Sequence, residues 1–378
     1  MKLSWMPEKA DRILSAKTWK RWAKYAVAAL ALAVWGSGQV ACSSSPEANG
    51  AAKQQAEQQF EQSEGRQLAQ NGSGNQAYKK KRYKNKKNKN KSYSPTSSSS
   101  GDGQGLIELG RLAPPQKGTL RLASWNVHDL FDTVDDPNHD VVLSRRDYSA
   151  KLAGLSKVLN RMQADVVGVQ EVENQACLKD LAAMSNYPYY LLIEGNDTMR
   201  GIDVGVLSKI PIKNYVTHAR DKCQAGGGGR SYYFSRDCLE VHFNHPSRLV
   251  MLVNHFKSKR GDTDDSTVSQ RMAQASRVRG IAAGLQKYPL IIVGDLNDEP
   301  NSQALAPLTR TSGLHDVLSW MGPNRVSFKT KRFSSALDYL ILNDALKAKM
   351  LDKSARIVVG DAVAEASDHR PVIVDVRI

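Results

Sequence analysis

Residues 290–300 read Leu-Ile-Ile-Val-Gly-Asp-Leu-Asn-Asp-Glu-Pro, and the fold turns on how that stretch is understood. Leu290 to Val293 form an uninterrupted apolar run of strand length, the pattern of a strand buried on both faces. Gly294 then permits a close backbone approach where the strand ends. Asp295 and Asn297 stand two residues apart, so on an extended backbone both side chains project to the same side. A carboxylate and an amide projecting together from a buried strand suit a phosphate and a metal ion. The same letters also fit a plain Asx-turn after a strand, and the fragment alone leaves both readings open.

Four further stretches share the design. Residues 122–127 (Leu-Ala-Ser-Trp-Asn-Val), 165–171 (Asp-Val-Val-Gly-Val-Gln-Glu), 250–255 (Val-Met-Leu-Val-Asn-His) and 367–374 (Ser-Asp-His-Arg-Pro-Val-Ile-Val) each join an apolar strand to Asn, Glu, His or Asp-His at one end. With residues 337–341 (Leu-Asp-Tyr-Leu-Ile) they place polar strand ends in order along residues 119–378. This set resembles the motifs of the endonuclease/exonuclease/phosphatase superfamily. That group of metal-dependent phosphoesterases includes DNase I-like nucleases, exonuclease III-like repair enzymes, neutral sphingomyelinases and inositol polyphosphate phosphatases. The resemblance implies an α/β fold of the DNase I-like kind, a four-layer sandwich of two mostly antiparallel sheets packed face to face with helices outside.

The resemblance also implies roles. Mg²⁺ or Mn²⁺ would sit near Glu171, Asn126 and Asp368, since a hard divalent cation takes carboxylate oxygen, water and substrate phosphate. Asp295 would orient or deprotonate the attacking water, and Asn297 and His369 would hydrogen-bond the phosphoryl oxygens as charge builds. Asp338 would fix the tautomer of His369. His255 would lie at the phosphate as an acid or a transition-state stabiliser. Arg200, in the run Arg-Gly-Ile-Asp-Val-Gly-Val-Leu-Ser that resembles bacterial members, would contact substrate phosphate. Each residue alone has a plainer reading: Glu171 as an acid near a helix start, Arg200 as a surface cation, His255 as a structural histidine. The repair branch often carries an acid two residues after the Asn; His128 occupies that position, which argues against an AP-endonuclease.

Charge divides the chain of 378 residues unevenly. Residues 1–118 hold 20 Lys and Arg against 8 Asp and Glu, while residues 119–378 hold 33 against 30, within a total of +15. Residues 1–24 are basic, residues 25–35 apolar, and small residues follow to Cys42, the order of an export signal. Val40-Ala41-Cys42-Ser43 resembles a bacterial lipobox, with Gln39 where Leu is preferred, and implies lipidation at Cys42. Residues 43–118 are rich in Gln, Ser, Asn, Gly and Lys and read as a disordered basic low-complexity linker. Nine cations within residues 79–91 suit a tether to polyanions, or merely keep the linker extended. The expected division is therefore a signal segment 1–42, the linker 43–118 and a catalytic domain 119–378.

Within that domain the pattern predicts helices over residues 146–162 and 270–285, with Arg271, Arg277 and Arg279 on the solvated face of the second. Cys223 and Cys238 flank Gly226 to Gly229 and could close a loop as a disulfide in an oxidising compartment. The glycine run lacks the Lys-Ser/Thr ending of a nucleotide loop, and no cysteine spacing suits zinc. The expected protein is an exported, monomeric phosphodiester hydrolase at the cell envelope, tethered by lipid to the membrane or free in the periplasm or outside. DNA is the first expected substrate and RNA the second. The alternatives are a phosphatase or sphingomyelinase-like phospholipase of the same fold and, from another class, a non-catalytic envelope binding protein.

Overall fold

The computed structural model describes residues 105–135, 141–197, 200–225, 230–259 and 265–377. The expected signal segment with Cys42, the basic run at residues 79–91 and the glycine run 226–229 lie outside them.

In chain order the elements are β1 (Leu106–Glu108), β2 (Thr119–Leu130), α1 (Arg145–Met162), β3 (Val166–Val172), α2 (Gln175–Met184), β4 (Tyr189–Ile193), β5 (Asp203–Ser208), β6 (Ile212–Val216), β7 (Cys238–Phe243) and β8 (Val250–His255). Then follow α3 (Asp265–Gly284), β9 (Leu290–Asp295), α4 (Ala306–Thr309), β10 (Leu314–Asp316), β11 (Phe328–Lys329), β12 (Ser334–Ser335), β13 (Asp338–Asn343), α5 (Asp344–Lys347), β14 (Arg356–Val359), α6 (Asp361–Ala366) and β15 (Val372–Arg377). One sheet runs β1-β14-β15-β2-β3-β5-β4 and the other β10-β13-β9-β8-β7-β6. Pairing is antiparallel except at β1–β14, β2–β3 and β8–β9.

The sheets meet through Leu122, Val166, Val206 and Val374 on one side and Val253, Val293 and Leu340 on the other. Helices α1, α2 and α6 cover the outer face of the first sheet, and α3 covers the second. The four-layer sandwich expected from the motifs is the one observed. Helix α1 shows how the sequence sets a layer. Ser144 caps it by accepting from the Asp147 N–H, and Gln163 ends it in the left-handed region at φ 54. Leu152, Leu155, Val158, Leu159 and Met162 recur at helical spacing and are buried.

Three expectations are corrected. Residues 105–118, assigned to the linker, contribute β1, which pairs in parallel with β14, so the folded domain begins before residue 119. Arg271, placed on a solvated face, is 1% exposed, with its Nε 2.9 Å from Asp298 Oδ2; the buried carboxylate draws it inward. Cys223 and Cys238 are free, buried thiols. Burial pushes Cys223 up to about 12 and Cys238 well above the usual thiol range, which suppresses the thiolate that oxidation requires.

Gly294 is a backbone position where a side chain has no room. Its φ is +137, and a Cβ there would meet Asn254 O at 1.9 Å, on the neighbouring strand β8. Gly294→Ala is expected to cost about 3 kcal/mol from backbone strain and overpacking together. Thermal unfolding should shift down by roughly 6 °C or more for a domain of this size. An unchanged melting temperature would show that the strand can move aside.

Candidate active site

Strand register brings the polar ends together. In the second sheet Asp338 of β13 is level with Asp295 of β9, and His255 of β8 is level with Asp295 on the other side. In the first sheet Asn126 of β2 is level with Gln170 of β3, and Glu171 follows at a register shift. Such a bulge re-aims a side chain at a strand end. The left-handed backbone of Glu171 (φ 64) and Asn297 (φ 52) completes the turn of both side chains.

The two rows face one another across Asp295. Its Oδ2 accepts from Asn126 Nδ2 at 3.1 Å and lies 3.6 Å from His255 Nε2 and 3.7 Å from His369 Nε2. Asn126 Nδ2 also donates to Glu171 Oε1 at 3.1 Å. Asp338 Oδ2 stands 2.9 Å from His369 Nδ1. The segment carrying His369 is pinned to β2: Trp125 Nε1 donates to His369 O, and Ser367 Oγ donates to Asn126 O. Asp295, Asn297, His255, His369, Glu171, Asp368 and Arg200 all line one cavity of about 510 Å³. Asn126 and Asp338 support it from behind. Every catalytic, substrate-contacting or metal-ligating residue expected from the motifs thus stands in or directly behind this cavity.

Several details differ from expectation. Asn126 Oδ1 accepts from the His128 N–H, so the amide turns its amino group toward the carboxylates and acts here as a donor to them. Arg200 is ion-paired with Asp129 and lies 3.7 Å from Glu171 Oε2. Asp129 was not anticipated. A register shift between Asn126 and Leu130 puts His128 and Asp129 in the left-handed region and swings Asp129 to the cavity, where simple alternation would not place it. Phe328 and Phe333, also unanticipated, line the same cavity. Their only sequence trace is a short polar run, residues 329–335, broken by one aromatic.

Burial and neighbouring charge set the protonation states. Burial disfavours the His369 cation, but Asp338 and Asp295 overcome it and raise the imidazole to about 10. Burial lifts Asp295 to about 7, with Asp338 and Glu171 adding to it against His369. Burial and Arg236 hold His255 neutral. A neutral imidazole there has one N–H to donate. Burial also opposes the charge of Glu171, and a cationic His255 would favour it, yet that imidazole is neutral. The support that stands comes from the hydrogen bonds of Asp129 and Asn126 and from the Arg200 guanidinium. Burial and Glu171 raise Asp129 to about 6, so Asp129 is the member of that pair that takes a proton first.

The donor chemistry fits a hard divalent cation. Asp368 Oδ1 is buried without a hydrogen-bond partner among the described residues, and the imidazole Nδ1 of His128, which burial keeps from charging, is 3.6 Å away. Glu171, Asp129 and Asp295 share the cavity with it. A separate group, Asp132, Glu173 and Cys177, also brings possible ligand atoms within 4.8 Å. There Glu173 Oε2 already accepts from the Asp132 N–H and from Cys177 Sγ, and burial pushes the thiol far above its usual range.

A family model described as endonuclease/exonuclease/phosphatase family matches residues 121–316. No curated protein matches the chain. Among solved structures, the human Nocturnin catalytic domain with bound sulfate anion is similar at 14% identity, over 69% of this chain and 95% of that one, with a TM-score of 0.50. A D. rerio TDP2 complexed with single strand DNA product matches at 18% identity over 68% and 99%, with a TM-score of 0.48. A Staphylococcus aureus beta toxin matches at 16% over 68% and 99%, with a TM-score of 0.44. The Nocturnin likeness bears on the fold.

Because Asp338 is what keeps His369 charged, Asp338→Asn should lower the His369 pKa by at least about 1 unit. The imidazole then loses its proton at a lower pH than in the wild type, and an NMR titration of the histidine ring reads the change. An unmoved titration would assign the charge of His369 to another neighbour.

Proposed function

We propose that this chain, which belongs to the endonuclease/exonuclease/phosphatase family, is a divalent-metal-dependent phosphodiester hydrolase that cleaves nucleic acid. The observation that carries the reading is the position of Asp295. A carboxylate raised to about 7 stands between a cationic His369 and a neutral His255, and Glu171 shares its Asn126 donor. Paired groups with separated proton affinities are what acid–base hydrolysis at neutral pH requires.

Glu171 and Asp368 would hold the cation, with Asp129 beside them, and it would supply charge neutralisation to the phosphoryl group. Asp295 takes the proton of the attacking water, since its affinity for a proton lies near neutrality. His369 points Nε2 into the cavity and donates to a phosphoryl oxygen as negative charge grows. Asp338 orients the ring through Nδ1 and keeps it cationic. Asn297 donates one hydrogen of Nδ2 to Phe256 O, which leaves the other for substrate. Arg200 neutralises Asp129 and Glu171 and reaches the same space. No covalent intermediate is needed.

The metal is Mg²⁺ or Mn²⁺ in this reading, and DNA is the first substrate, with RNA second. Export, with a tether at Cys42, is part of the same proposal and rests on residues outside those described. Among the described residues no helix is long and apolar enough to cross a membrane.

The full chain should nick plasmid DNA with Mg²⁺, lose that activity in EDTA, and regain it when the metal is returned. Release of phosphocholine from sphingomyelin, with nucleic acids left intact, would replace the nuclease reading by the phospholipase one. Asp295→Asn, which keeps the side-chain shape, should lower kcat by at least about 100-fold. Wild-type turnover in that variant would remove Asp295 from the chemistry.

A further inference from the structure

A second cavity, of about 590 Å³, adjoins the catalytic one, and the two share His128 and Asp368 as lining residues. Lys151, Lys329, Lys331 and Arg370 also line it. Glu365 is its other carboxylate beside Asp368. The four cations are not equivalent. Lys151 donates to Ala366 O and feels the charge of Asp129, Asp368 and Glu171, and Arg370 donates to Val326 O. Lys329 and Lys331 are exposed and form no ion pair among the described residues. Two unneutralised ammonium groups on a concave wall, beside a centre that handles phosphate, suit an anion.

The hairpin that carries them is tied to the catalytic pair. Lys329 N donates to Asp368 O at 2.9 Å, Phe328 bridges to His369, and their rings lie 4.9 Å apart. Thr330 closes the turn by accepting from the N–H groups of Arg332 and Phe333. The hairpin has two chemically distinct sides. Lys329, Thr330 and Lys331 line the cationic groove, while Phe328, Phe333, Ser334 and Ser335 line the catalytic cavity. Phe333 is 69% exposed, the most exposed of the large apolar side chains among the described residues. Cations on one side and an open aromatic face on the other match a polynucleotide strand, whose phosphates and bases lie on opposite sides. An aromatic ring stacks any base, provided the base is not already stacked in a duplex. A lipid surface is the poorer fit, because the free cations line a groove and the hairpin exposes only one large apolar side chain, whereas a membrane-surface element buries a broad apolar face.

We propose that Lys329 and Lys331 form a second phosphate subsite beside the catalytic cavity, with Phe333 as the platform for a neighbouring base. The substrate is then a single-stranded polynucleotide, gripped at a phosphate other than the one being cleaved. The proposal rests on the phosphodiesterase reading of the catalytic cavity and deepens it.

The test separates the groove from the chemistry. Binding of a fluorescein-labelled dodecathymidylate to the full chain is measured by anisotropy in EDTA across a range of KCl concentrations. Each phosphate contact to a single strand contributes about −0.7 to the slope of log K against log salt, so K329S/K331S, which empties one phosphate subsite, should make the slope shallower by about 0.7. K347S/K353S removes two exposed lysines elsewhere, and should leave the slope alone. With Mg²⁺, K329S/K331S should raise KM for the oligonucleotide about tenfold with little change in kcat. Phe333→Ala should raise it at least about fivefold. Hydrolysis of bis(4-nitrophenyl) phosphate, which has one phosphate and no second one to lose, should stay within about twofold in K329S/K331S. An unchanged salt slope in K329S/K331S, or an equal loss on both substrates, overturns the subsite. So does a Phe333→Ala variant that loses binding to sphingomyelin vesicles while holding the oligonucleotide as before. If the wild type cleaves neither substrate, the catalytic reading falls, and the salt slope still supports or overturns the groove by itself.

Discussion

Asp295, Asp338 and Glu171 are buried carboxylates converging on one place, and their mutual repulsion is the constraint to which the rest answers. Breaking a buried ion pair by removing one partner costs roughly 3–5 kcal/mol, so each charge needs a fixed counterpart. His369 supplies it for Asp338 and Asp295, and Arg200 supplies it for Glu171 and Asp129. Asn126 is the neutral joint, since one amino group donates to carboxylates brought in by different sheets. The hydroxyl of Ser367 and the indole of Trp125 then hold the loop of His369 against β2, so the cation cannot drift from its partners. The imidazolium of His369, carried by the first sheet, thereby faces the carboxylates of the second at one rim while the apolar faces stay in contact elsewhere.

Much of this was legible in the residues because the strands obey simple periods. Apolar runs such as Leu290 to Val293 are fully buried strands, and the polar residue at one end of each run falls at the rim, where β8 and β9 finish and β13 and β15 begin. The register that sets Asp338 and His255 level with Asp295 joins residues far apart in sequence, and only the order of the motifs hinted at it. What stayed hidden follows from departures from regular geometry. Asp129 reaches the cavity through a bulge and a left-handed backbone, which no two-residue alternation signals. The inward turn of Arg271 depends on Asp298, distant in sequence, and the joining of β1 to β14 depends on a strand near the far end of the domain. The orientation of the Asn126 amide is likewise a matter of tertiary contact, set by the His128 N–H.

The protonation pattern gives the cavity a direction. His369 is cationic, His255 is neutral, and Asp295 lies between them with an affinity for protons close to neutrality. Identical side-chain types thus take different charge states within one small space. The difference comes from what backs each ring: a carboxylate behind His369, a guanidinium near His255. A proton entering the cavity consequently meets a base on one side and a donor already loaded on the other, which is the arrangement a hydrolytic step needs.

The level pairing of His255, Asp295 and Asp338 across three adjacent strands has a further effect. Side chains alternate between the two faces of a strand, so a slip of β9 by a single residue would send Asp295 to the opposite face and put an apolar neighbour in its place. A misaligned chain could keep much of its hydrophobic packing and still have no usable centre. Turnover is therefore a stricter gauge of correct assembly than compactness or helix content, and a preparation that looks well folded by those bulk criteria can still be inert.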